Sequence, residues 1–109
     1  MKPKAKRAKV LPIPETVWSQ LGPIPVCLTS PVHLEDGNAR SPQLMGKYEA
    51  NHRRIVVDSE MSHLAQLQCA YHEAVHAWLM DAGLRLGKLE EPVVDVIATA
   101  LVNVLQERR

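Results

Sequence analysis

Two histidines four residues apart with a glutamate after the first, His72-Glu73-Ala74-Val75-His76, are the residues of this chain whose types and spacing most directly imply chemistry. On a helix, positions i and i+4 lie one above the other, with Cβ atoms about 5–6 Å apart. Both imidazoles can therefore reach one ion, and zinc, which takes histidine nitrogen readily, suits the pair. Glu73 falls one position round the helix from His72, beside the ion rather than on it, where its carboxylate can take a proton from zinc-bound water. The motif thus reads as two metal ligands, His72 and His76, and one general base, Glu73.

A helix has to carry these residues, and the flanking sequence predicts one. Asp58 or Ser59 can cap it, Glu60 favours its first turn, and Gly83 stands just past its expected end. Met61, Leu64, Ala65, Leu67, Ala70, Ala74, Val75, Ala77, Leu79 and Met80 leave hardly any face polar, which predicts a helix buried all round. Tyr71 and Trp78 read as core residues of the same helix. Two histidines and a glutamate inside it need partners, because an unsatisfied buried polar group is costly, and a metal would supply them. A last helix is expected from Pro92 to about Gln106, with Glu90 and Glu91 at its positive end.

Ahead of the motif, 44–49 and 53–58 are strand-like runs around the turn candidate Ala50-Asn51-His52, so they predict a β-hairpin. The β-branched second run should be central and the more polar first run an edge. Residues 24–29 read as a third strand, 15–21 as a short turn of helix ended by Gly22-Pro23, and 30–42 as a loop. The expected fold class is α+β: a β-hairpin or three-stranded sheet packed on the active-site helix and a C-terminal helix.

Composition bounds the surroundings. A chain of 109 residues is ordinarily one domain. Five of its thirteen basic residues, Lys2, Lys4, Lys6, Arg7 and Lys9, precede the first acid, Glu15. Residues 1–15 therefore read as a basic, proline-punctuated, disordered arm ahead of a single mildly acidic domain at 16–109. With no aromatics among its lysines, the arm is a weak case for nucleic-acid contact. Cys27 and Cys69 make no disulfide framework, and no apolar run before the motif suits a signal peptide or membrane span, so a cytoplasmic protein without a membrane contact is expected. His33, His52 and His63 lack ligand spacing and read as surface or loop histidines.

Cys69, His72 and His76 at i, i+3 and i+7 offer an alternative, a structural zinc half-site, though it leaves Glu73 without a role. Another is a catalytically idle interaction module.

The arrangement resembles the zincin-like metallopeptidases, and within them the small phage- and prophage-borne proteins related to ImmA/IrrE-type peptidases. The resemblance covers residues 44–106: the hairpin from Gly46-Lys47-Tyr48 to Ile55-Val56-Val57, the His72-to-Leu79 stretch, and Glu90-Glu91-Pro92-Val93-Val94-Asp95. Only the His-Glu-x-x-His part is specific. It implies a small zincin-like domain with zinc on His72 and His76, Glu73 as base, a third acidic ligand downstream, and hydrolysis of a peptide or protein substrate. No histidine follows His76, so the third ligand is sought among Asp81, Glu90, Glu91, Asp95 and Glu107. Asp81 turns away from the histidine face, Glu107 sits at the polar terminus, and a helix cap explains Glu90 and Glu91. Asp95, inside the apolar run Val93-Val94-Asp95-Val96-Ile97-Ala98, is the expected third ligand, with Glu91 next.

Overall fold

The β-branched run Ile55-Val56-Val57 sits at the middle of the molecule, where all three side chains are buried. In the computed structural model, which describes residues 11–29 and 46–107, this run belongs to strand β4 (Arg54–Asp58). The basic residues of the arm and the loop expected at 30–42 lie outside the described residues. Strand β3 (Gly46–Glu49) runs antiparallel to β4, with Tyr48 opposite Ile55. The turn between them is closed by the His52 amide on the Glu49 carbonyl and the Arg53 amide on the Ala50 carbonyl, with Arg53 at φ 48°. On its other side β4 pairs in parallel with β2 (Gly22–Thr29), so both sides of β4 are hydrogen-bonded.

The turn of helix expected at 15–21 is instead strand β1 (Thr16–Ser19), antiparallel to β2. Thr16, Val17 and Trp18 favour extended backbone, and pairing puts Val17 opposite Ile24 in the core. Gly22, at φ 121°, takes the backbone conformation that the tight β1–β2 turn requires. The sheet therefore has four strands rather than three, in the order β1-β2-β4-β3, and it is mixed. The α+β class stands, with β4 interior and β3 at an edge.

Helix α1 (His63–Asp81) begins three to four residues later than an Asp58 or Ser59 cap would start it. Ser62 caps it, accepting from the Ala65 amide at 3.2 Å. Asp58 instead shapes the exit from β4, its Oδ1 accepting the Glu60 amide at 2.9 Å. Buried Gln66 stitches that exit to the helix by donating to the carbonyls of Asp58, Ser59 and Met61.

Among the described residues, α1 is covered on two faces, by the sheet and by α2. Cys69, Ala70, Ala74 and Ala77 meet Val17, Ile24, Ile55 and Val57 of the sheet, and their small size lets the helix lie close to it. Tyr71 and Trp78 pack at the margins, as core-side residues. Leu64 and Met80, expected inside, are about half exposed.

Helix α2 (Glu90–Glu107) follows a 3₁₀ turn at Gly87–Leu89 and takes Pro92 in its first turn, where no amide partner is lost. It packs on α1 through Val94 and Ala98 against Val75, and through Val102 against Leu67. Val94 and Val102 are fully buried, each contributing about 1.5–3 kcal/mol to that seam. Leu11 joins the second of these clusters, and the Glu15 carbonyl accepts the Val26 amide. Residues 11–15, expected in the arm, are thus part of the packed body. Among the described residues, no helix is long and apolar enough to cross a membrane.

Candidate metal centre

His72 and His76 sit on successive turns of α1, with ring centroids 4.9 Å apart and planes inclined by 65°. Their position on the helix is local geometry. What faces them is tertiary: the first turns of α2 run alongside and deliver three carboxylates to the two rings.

Glu91 lies between the rings. Its Oε1 is 3.2 Å from His72 Nε2 and its Oε2 3.0 Å from His76 Nε2. The outer nitrogens each meet a different acid: His72 Nδ1 is 3.0 Å from Asp95 Oδ1, and His76 Nδ1 is 2.6 Å from Glu90 Oε2. One nitrogen of each imidazole faces the shared carboxylate and the other a private one.

This geometry bears on the expected ligand set residue by residue. His72 and His76 are brought together on one side, as the spacing implies. Asp95, the expected third ligand, stands on the far side of the His72 ring, while the donor atoms that lie together, within 4.8 Å of one another, belong to His72, His76 and Glu91. The nitrogens of one imidazole point in divergent directions, so an ion shared by both rings at Nε2 is out of line with Asp95. A helix cap accounts for Glu91 only in part. A sequence signal for it does exist, since Glu91 and Asp95 stand at i and i+4, matching the His72–His76 interval across two packed helices.

Two imidazole nitrogens and a carboxylate oxygen are ligand types that zinc takes. Cys69 is not drawn into the group: it is buried in the sheet-facing cluster, where burial pushes its thiol up to about 12.

Glu73 points into the same region. Burial raises its carboxyl above the ordinary range, the charges of His72 and His76 pull it back, and the Tyr48 backbone hydrogen-bonds it. Glu73, His72, Glu91 and Asp95 line a cavity of about 390 Å³ whose remaining walls are Gly46, Gln68, Cys69, Ala98 and Thr99. No lysine or arginine is among those described lining residues. The hairpin cation Arg53 is committed elsewhere, with both terminal nitrogens 3.0 Å from the two oxygens of Asp81. His52 is exposed in the hairpin turn, and His63, at the start of α1, donates Nε2–H to the Leu11 carbonyl at 2.6 Å. His33 lies outside the described residues.

Compared with family models, with curated proteins and with solved structures, the chain matches none.

Proposed function

We propose that this chain is a zinc-dependent metallopeptidase that holds its ion on His72, His76 and Glu91 and hydrolyses a peptide or protein substrate with Glu73 as general base. The observation that carries the reading is the charge imbalance at the site. Three carboxylates, from Glu90, Glu91 and Asp95, lie against two imidazoles, and the cavity that His72, Glu73, Glu91 and Asp95 line has no lysine or arginine among its described lining residues. Asp95 and Glu91 are about two-thirds exposed, and exposed ion pairs of that kind contribute only about 0–1 kcal/mol, so folding alone gives little reason to gather them. A divalent cation does.

Zinc held at such a site supplies Lewis-acid polarisation of a carbonyl and lowers the pKa of a water. The chain's own groups do the rest. Glu73, half-buried beside the proposed ligands and raised by desolvation, would take the water's proton and return it to the leaving amine. Asp95 Oδ1 lies 3.0 Å from His72 Nδ1, a carboxylate on the side of the ring away from Glu91. With three protein ligands, a tetrahedral zinc site would keep one position open. The cavity walled by Gly46, Ala98 and Thr99 adjoins it and offers room for a substrate side chain.

The test is metal analysis of the purified chain together with His72→Ala and His76→Ala. One zinc per chain is expected, lost in both variants. Full zinc content in both would end this reading.

A further inference from the structure

Glu90 is neither ligand nor base in the reading so far, yet it makes the shortest contact of the site. Its Oε2 lies 2.6 Å from His76 Nδ1. A first-turn glutamate stabilises the positive end of its helix wherever its carboxylate points, so the helix dipole does not require this contact. Its exposure also separates it from its neighbour: the Glu90 side chain is 29% exposed and that of Glu91 67%.

We infer that Glu90 is a positioning residue of the metal site, accepting the Nδ1–H of His76 so that the Nε2 lone pair is aimed at the ion; the inference rests on the metal reading above. A neutral imidazole has one N–H, and the hydrogen bond at one nitrogen decides which nitrogen is bare. Free histidine favours the proton on Nε2, the wrong nitrogen for coordination here. Glu90 reverses that preference at His76. Consecutive residues of α2 thereby bracket one ring, Glu90 at Nδ1 and Glu91 at Nε2. Behind Glu90 is a second cavity of about 270 Å³, walled also by Met80, Gly83, Leu84 and Arg85. Those side chains offer Nδ1 no acceptor, since arginine only donates and the others are apolar.

The experiment compares Glu90→Ala and Glu90→Gln in the full chain, by zinc affinity from chelator competition and by NMR of the His76 Nδ1 proton in the zinc-loaded protein. Loss of an orienting partner of a metal ligand weakens metal binding by about 10–100-fold. That loss is expected for Glu90→Ala, together with disappearance of a slowly exchanging Nδ1 proton. Glu90→Gln keeps an acceptor oxygen without the charge, and should restore most of the affinity and the proton signal. Glu90→Ala binding zinc as tightly as the parent would overturn the inference, as would Glu90→Gln being as weak as Glu90→Ala, since the role would then be charge alone. Failure of the metal reading itself appears differently, as a parent chain that takes up no zinc.

Discussion

At the scale of single residues, Glu73 and Glu91 divide two roles that carboxylates at a metal site can perform. On the proposed reading, Glu73, half-buried beside the histidines, would serve in proton transfer, and Glu91, between the two Nε2 atoms, in coordination. Glu73→Gln should keep zinc and fold, because an amide fills the same volume, and lower hydrolysis of a cleavable peptide by about 10²–10⁴-fold. Parental turnover in that variant would remove Glu73 from the mechanism. Glu91→Ala should lose zinc outright in a chelator titration, whereas Asp95→Ala, which removes a carboxylate beside His72 Nδ1 rather than a ligand, should lose much less. The reverse order would restore Asp95 as the ligand.

At the scale of elements, the site depends on how closely β3 and α1 approach. A Cβ at Gly46 would come 2.4 Å from Cys69 Sγ and 2.6 Å from the Val56 carbonyl oxygen. Gly46→Ala should therefore destabilise the chain by about 1–3 kcal/mol in urea unfolding, the usual range for overpacking. Adding Cys69→Ala should recover only part of this, because the carbonyl is backbone and stays. The far end of α1 is pinned by Asp81, which takes both terminal nitrogens of Arg53 and the hydroxyl of Ser19. Arg53, then Ser19, hold the Asp81 carboxyl below the usual carboxylate range. A depressed folded-state pKa contributes stability that is full above the unfolded value of about 3.9 and is lost as pH falls through the lower folded value. Asp81→Asn should therefore be less stable than the parent at pH 7, and the gap should narrow as acid protonates the parent's carboxylate; a gap that does not change with pH would contradict this account.

At the scale of the whole molecule, zinc and folding should be linked, because α1 and α2 carry the ligands on separate elements and only the folded chain brings them together. Free zinc at about 100 times its dissociation constant adds roughly 2.7 kcal/mol to stability. Thermal unfolding should shift upward with added zinc and return with chelator, and an unchanged midpoint would argue against a site that needs the fold. The sequence by itself determined what short-range geometry decides. His72 and His76 share a face because four residues make about one helical turn, and Ile55-Val56-Val57 is an inner strand because β-branched side chains in an unbroken run fit a position paired on both sides. Residues 15–21 are ambiguous at that range, since seven residues ending at a glycine suit a helical turn or a strand, and pairing with β2 chose the strand. The identity of the carboxylate at each ring nitrogen was decided by tertiary structure alone. It depends on the register of α2 along α1, which Val94, Ala98 and Val102 set by packing on Val75 and Leu67. A shift of α2 by one turn would put a different acid between the rings, and such a shift leaves no trace in the local sequence because the contacts that forbid it join residues far apart along the chain, Val75 with Val94 and Leu67 with Val102.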